Sequence, residues 1–153
     1  AVFRGVNQLS LDAKGRVVLP ARYRDRLLSH CSGEIVATID YRDRCLALYP
    51  LPEWEAIERK LVELPDLQAS AKRLKRLLIG HAHELQVDGN GRALLPQPLR
   101  EYAGLEKRVV LIGQGNKFEL WDQPLWEQQR AEWLQAAAAE DAELPEELES
   151  LAL

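Results

Sequence analysis

Two short segments carry the residue types best suited to chemistry. Asp12-Ala13-Lys14-Gly15-Arg16 and Asp88-Gly89-Asn90-Gly91-Arg92 each set a carboxylate four residues before a guanidinium, with a glycine between them. A glycine there supplies the positive φ of a tight hairpin turn, and such a turn brings the acid and the base face to face. Two readings are open. The aspartate and arginine could form an ion pair or an Asx-type bond that only fixes the turn. Alternatively, the turn presents Lys14 and Arg16 to phosphate, with the aspartate orienting an arginine that keeps free donors. The two readings are compatible.

Other chemistry is sparse. His81-Ala82-His83 predicts two imidazoles on one strand face, followed by Glu84. A metal site needs a third and usually a fourth ligand at suitable spacing; none is near in sequence, so no metal is expected. Ser10 and Ser32 lack a triad neighbour, and no nucleophile elbow, phosphate-cradling loop or dinucleotide fingerprint is present. The chain therefore reads as no enzyme, with no catalytic residue, no cofactor and no small-molecule substrate. Cys31 and Cys45 are too few for a disulfide scaffold and form no Cys-x-x-Cys pair; both read as reduced and mostly buried.

Charge is unevenly spread. The formal net charge is -4 over 153 residues. Residues 131–153 hold seven acids and no Lys or Arg, which leaves residues 1–130 with 20 basic and 17 acidic side chains, a net of +3. The first 30 residues carry Arg4, Lys14, Arg16, Arg22, Arg24 and Arg26 against Asp12 and Asp25, a net of +4. Polyanion binding follows local field rather than total charge, so a sequence pI near 5.5 does not exclude it. Counts alone also fit a merely solvated face. A hydrophobic fraction of 46% supports a real core and excludes wholesale disorder. No apolar run reaches membrane-spanning length, and the N-terminus lacks the apolar stretch of a secretion signal. With no methionine in the chain, Ala1 or Val2 is read as standing where an initiator did. The expected location is the cytoplasm.

The elements that must position these turns come in two copies. Leu11-Asp12-Ala13-Lys14-Gly15-Arg16-Val17-Val18-Leu19-Pro20 matches Val87-Asp88-Gly89-Asn90-Gly91-Arg92-Ala93-Leu94-Leu95-Pro96 at an offset of 76 residues, and Arg24 and Arg100 keep that offset. Leu46–Tyr49 then matches Phe118–Trp121, and Pro52-Glu53-Trp54 matches Pro124-Leu125-Trp126, at an offset of 72. Each copy reads as a strand ending near the aspartate, a turn, and a second strand to Leu19 or Leu95. A short proline-opened helix follows, Ala21–Leu28 or Pro98–Tyr102. A hairpin comes next, Glu34–Ile39 with Cys45–Tyr49, or Arg108–Ile112 with Lys117–Trp121. A longer helix ends each copy. The apolar stripe Trp54, Ile57, Leu61, Leu64 marks the first, and the last helix covers about Leu125–Asp141. Between the copies, Pro65 breaks the chain, Asp66 can cap a helix, and Leu67, Ala71, Leu74 and Leu78 form a stripe opposite Lys72, Arg73, Lys75 and Arg76.

Neither copy alone makes a stable sheet, and sharing one barrel removes exposed strand edges. The expected fold is mainly β with helices, in the α+β class: one pseudo-two-fold β barrel with helices outside. It would occupy 1–141, with repeat 1 at about 5–64, a helical linker at about 66–78 and repeat 2 at about 81–141. Residues 142–153 read as an acidic mobile tail that either solvates the chain end or shields the basic surface.

Phe3-Arg4-Gly5, Leu11-Asp12-x-Lys14-Gly15-Arg16, Leu19-Pro20-x-Arg22-Tyr23-Arg24, Leu48-Tyr49-Pro50, Leu77-Leu78-Ile79-Gly80-His81-Ala82, Asp88-x-x-Gly91-Arg92 and Asn116–Trp121 together resemble the MraZ family over nearly the whole chain. The resemblance implies a bacterial, nucleoid-associated transcriptional regulator of the division and cell-wall gene cluster. It also implies a tandem AbrB-like (SpoVT/AbrB) fold, in which one chain replaces a dimer. Ring-shaped homo-oligomers on short repeated promoter boxes in double-stranded DNA belong to the same expectation. The family's Asp-x-x-x-Arg falls on Asp12/Arg16 and Asp88/Arg92.

Copy two has Asn90 where copy one has Lys14, and Gln97-Pro98 where copy one has Ala21-Arg22. Copy one is therefore the expected DNA-contacting half. Arg16 ranks first, then Lys14 and Arg4; Arg22, Arg24 and Arg26 follow. Arg22 and Arg26, four apart, share one helix face, while Arg24 points elsewhere and could instead pair with an acid inside the oligomer. Asn7 or Gln8 could read adenine. Asp12, Gly15, Asp88, Gly91 and Arg92 are assigned to building the turns. The alternative reading is a ring-forming protein scaffold without direct DNA binding, anchored by Trp54, Trp126 and Trp133. Aromatic content of 7%, with no RNA-binding signature, argues against single-stranded RNA.

Overall fold

The computed structural model describes residues 2–139, 144–151 and 153. It divides into two compact units, Ala1–Gln123 and Pro124–Leu153.

In the first unit, β-branched and apolar runs form strands and the Gly and Pro clusters punctuate them. The elements of copy one are β1 (Phe3–Ser10), β2 (Arg16–Val18), α1 (Ala21–Cys31), β3 (Glu34–Ile39), β4 (Leu46–Pro50) and α2 (Leu51–Val62). A short helix α3 (Ala69–Leu74) runs into a π-helical turn, Lys75–Ile79. Copy two repeats the order as β5 (His83–Gln86), β6 (Arg92–Leu94), α4 (Gln97–Ala103), β7 (Arg108–Gly115) and β8 (Phe118–Asp122). The second unit holds most of α5 (Gln123–Ala138), and α6 (Glu146–Glu149). Within it, the Trp126 and Trp133 rings meet edge-on at 5.7 Å. The far end expected for the last helix, Glu140–Asp141, lies outside the described residues, as does part of the predicted tail; residues 144–151 and 153 are exposed. No helix of the described residues is long and apolar enough to cross a membrane.

The strands pair antiparallel in a six-stranded sheet of order β1-β7-β8-β4-β3-β5, with β2 and β6 as a separate two-stranded ribbon. Exchanging the strands of copy one for those of copy two turns this order into its own reverse. Each copy's first strand pairs with the other copy's hairpin: β1 with β7, and β5 with β3. In the ribbon Val17 sits opposite Ala93, its own counterpart. In the sheet Ala47 sits opposite Glu119, again its counterpart. The expected α+β class holds, with every strand pairing antiparallel. β2 and β6 are three residues each, and Pro20 and Pro96, two residues beyond them, have no N–H to extend a ladder. β1 and β5 stand at the two ends of the six-stranded order.

The core gathers Phe3, Tyr23 and Phe118, whose rings meet edge-on or tilted with centroids 4.4–6.1 Å apart, with Leu27, Leu46, Leu48, Leu95, Leu99, Leu111 and Leu120. Trp54 is buried and donates its indole N–H to Glu58 at 2.9 Å, so it is not available as an interface anchor. Helix α1 runs three residues beyond its predicted end, to a left-handed Ser32 cap. The linker differs from its predicted pattern. Leu67 is fully exposed ahead of α3, and Gln68 rather than Asp66 stands at the N-cap of that helix; Asp66 takes an ion pair from Lys75 at 2.7 Å. Lys75 also donates to the Leu64 carbonyl at 2.7 Å, so it leaves the solvated face assigned to it. His81 lies in a turn before β5, so only His83 of the pair is on a strand.

Candidate nucleic-acid interface

The two Asp-x-x-Gly-Arg turns have the same internal geometry. Asp12 Oδ1 accepts the backbone N–H of Lys14 at 2.9 Å and of Arg16 at 2.8 Å, while Oδ2 accepts Arg16 Nε at 2.9 Å. In copy two, Asp88 Oδ1 accepts the N–H of Asn90 and Arg92, both at 2.9 Å, and Oδ2 accepts Arg92 Nε at 3.1 Å. The backbone N–H of Arg16 holds the Asp12 carboxyl below the usual aspartate range, helped by the Arg16 side chain and the Lys14 N–H. Arg92 and Asn90 do the same for Asp88. Both carboxylates are thus fixed as anions that grip one edge of a guanidinium. Among the described residues the Nη groups of Arg16 and Arg92 have no partner, and their side chains are 39% and 48% exposed. Arg16 is not sealed inside.

Each turn is completed by the other copy. Gly15 has φ +89° and Gly91 φ +82°. Leu95 N donates to the Gly15 carbonyl at 2.8 Å, and Leu19 N to the Gly91 carbonyl at 2.8 Å. A Cβ at Gly15 would stand 2.7 Å from Arg100 Nε, and one at Gly91 would stand 2.9 Å from the Leu19 carbonyl oxygen and 3.4 Å from Arg24 Cδ. Arg24 therefore packs against copy two's turn, and its Nε bonds Asp25 at 3.0 Å. That is the divergence from Arg22 that the helix spacing predicted.

The ribbon sets the outward face. Val17 and Ala93 point inward and are buried. Their neighbours Arg16, Val18, Arg92 and Leu94 point outward, with Arg16 opposite Leu94 and Val18 opposite Arg92. Arg92, assigned from sequence to turn-building, thus lies on the same outward face as Arg16. The missed signal was the alternation of small buried residues at 17 and 93 with exposed neighbours on both sides. Lys14 is exposed on the turn beside them.

Arg4, Arg22 and Arg26 lie around the start of β1. Arg22 bonds Asn7 Oδ1 at 2.7 Å and Tyr23 Oη at 3.1 Å, with its guanidinium 4.6 Å from the Tyr23 ring centre. Asn7 Nδ2 donates in turn to Tyr23 Oη at 2.8 Å, and Tyr23 donates to the Arg4 carbonyl. The Asn7 carboxamide is engaged at both ends, whereas Gln8 is exposed. Arg4 shares a shallow pocket with Val2, Arg26, Ser29 and His30, and Arg26 Nη1 donates to the Val2 carbonyl at 2.6 Å. Among the described residues, the bonds that the Arg22 and Arg26 side chains make go to Asn7, Tyr23 and Val2 rather than to β2 or β6.

Among the described residues, one group of possible metal ligands comes together: Asp40, Cys45 and Glu119, with ligand atoms within 4.8 Å of one another. Asp40 and Cys45 flank the β3–β4 turn and Glu119 reaches them from β8, a proximity no sequence spacing announces. Burial raises both the Cys45 thiol and the Glu119 carboxyl. Glu119 accepts the Trp121 indole N–H at 3.0 Å, and Asp40 Oδ1 accepts two turn amides. Both cysteines are free thiols. His81 and His83 each place Nδ1 on a backbone carbonyl, at 2.8 and 2.9 Å.

The family described as "MraZ protein, putative antitoxin-like" matches the chain twice, over residues 2–77 and 78–145. A protein from Halorhodospira halophila named Transcriptional regulator MraZ is 84% identical over 152 residues, covering 99% of this chain and 100% of that protein. Proteins of the same name from Alkalilimnicola ehrlichii and Thioalkalivibrio sulfidiphilus are 61% and 57% identical, each over 152 residues with the same coverage. With both halves matched and relatives this similar end to end, the chain belongs to the MraZ family.

Proposed function

We propose that this protein is a transcriptional regulator that binds double-stranded DNA through the β2–β6 ribbon. The observation that carries the reading is the pair of arginines on one outward face. Each is anchored through Nε to a depressed aspartate, and each keeps its Nη groups open. A guanidinium held this way offers a preoriented fork, the geometry that pairs with guanine O6 and N7 or with phosphate. A two-stranded ribbon is narrow enough to enter the major groove. The regulator names of the relatives agree, and they describe no enzyme class.

In finer detail, the protein acts in the cytoplasm on the nucleoid, at repeated promoter boxes of the division and cell-wall gene cluster. One chain offers few cations, so specific affinity would come from several protomers of a homo-oligomeric ring engaging several boxes. The second contact is then effectively intramolecular and adds about 10²-fold or more. Arg16→Ala should abolish retardation of a promoter fragment from that cluster while leaving the sedimentation of the oligomer unchanged. Normal binding by this variant at moderate salt would refute the site. A fragment trimmed to one box should lose far more than half the affinity.

A further inference from the structure

The outward face of the ribbon is not only basic. Val18 and Leu94 are 54% and 55% exposed, and each stands directly across the ladder from an arginine, Leu94 from Arg16 and Val18 from Arg92. Four outward side chains thus form a compact quartet in which arginine and aliphatic groups occupy opposite corners. The arrangement is related to itself by the local two-fold through Val17 and Ala93. Strand geometry puts the two arginine Cα atoms about 8 Å apart on the diagonal, between two and three base-pair steps. Apolar side chains left in water at the centre of a charged face are a cost that the folded chain does not need for its own core. The arginines and Lys14 around them suit a polyanion, which commits the face to nucleic acid rather than to an apolar protein surface.

In the major groove the apolar feature is the C5 methyl of thymine, which aliphatic side chains contact. We propose that Val18 and Leu94 are specificity-determining residues that pack on thymine methyl groups adjacent to the bases contacted by Arg92 and Arg16. This rests on the DNA-binding reading above and adds a base preference to it. The arginines would select guanine, and the aliphatic pair would select thymine in the neighbouring steps. Burying one methyl group corresponds to about four-fold in affinity per contact.

The test does not depend on the operator sequence. A randomised duplex library is prepared twice, once with thymine and once with deoxyuridine throughout, which deletes only the methyl group. The full-length protein is used to select from both. The expected result is enrichment of thymine next to the selected guanines in the first library, with preference at those positions falling about four-fold per methyl in the second. Val18→Ser and Leu94→Ser should keep the guanine preference, lose the thymine preference, and show no further loss on deoxyuridine, the signature of a coupled pair. Equal enrichment from both libraries overturns the proposal, as does a thymine preference retained by both variants. A change in oligomeric state on either substitution also overturns it, because the face would then bind a second copy of the chain. Guanine enrichment without any methyl effect sinks this inference alone; wild-type protein enriching no sequence sinks the DNA-binding reading beneath it.

Discussion

Arg16→Lys separates a positioned fork from a mere charge. In the wild-type chain Arg16 commits Nε to Asp12 at 2.9 Å and keeps its two Nη groups for a ligand. Lysine preserves the positive charge but replaces the planar fork with a freely rotating ammonium, and nothing then fixes its direction. A bidentate arginine–guanine contact is worth about 1–3 kcal/mol of discrimination. Its loss should reduce the preference for a promoter box over a scrambled duplex by roughly 5- to 150-fold per engaged protomer. The salt dependence should hardly change, because the number of neutralised phosphates is unchanged. Thermal stability should hold as well. The Asp12–Arg16 pair is exposed, and exposed pairs contribute little; Asp12 also keeps the two amides that shape the turn. Fluorescence anisotropy on matched and scrambled duplexes across a salt series reads both binding quantities, and a thermal melt reads the third. Full retention of sequence preference by Arg16→Lys would refute the positioned-fork argument, and an equal loss on both duplexes would reduce Arg16 to a phosphate contact.

Gly91→Ala should lower the urea unfolding midpoint, at a cost of about 1–3 kcal/mol, because φ is +82° and the new methyl would meet the Leu19 carbonyl at 2.9 Å; an unchanged midpoint would contradict the cross-copy packing. Burial holds the Glu119 carboxyl above its ordinary range, with the Trp121 indole opposing. The folded state therefore binds that proton more tightly than the unfolded chain, and stability falls as pH rises past the ordinary glutamate range. Glu119→Gln should raise the unfolding midpoint at pH 7, with the gain shrinking towards pH 4; equal gains at both pH values would show that charge is not the cause. Asp12 and Asp88 behave oppositely: their contribution is complete above the ordinary aspartate range and is lost only as pH falls below it. Carboxyl NMR should find both titrating below Glu119, and the reverse order would overturn the assigned contacts. Cys45, fully buried with its thiol pushed up by desolvation, should resist alkylation in the folded protein while half-buried Cys31 reacts first; rapid labelling of Cys45 would contradict its burial.

The local chemistry was legible in the residues alone. Spacing and glycine placement are enough to build each Asp-x-x-Gly-Arg turn, because the acceptor, the positive φ and the guanidinium lie within five consecutive residues. Proline placement and β-branched runs likewise predicted the elements of both copies, because these are local steric preferences. Tertiary structure decided what local preference cannot encode: which strand pairs with which. β1 passes over its own copy to pair with β7, and β2 finds β6, so the two turns complete each other and their arginines share one face. The same pairing gathered Asp40, Cys45 and Glu119 from distant positions. Each outcome follows from long-range burial, which is shared by residues that no spacing along one chain can connect.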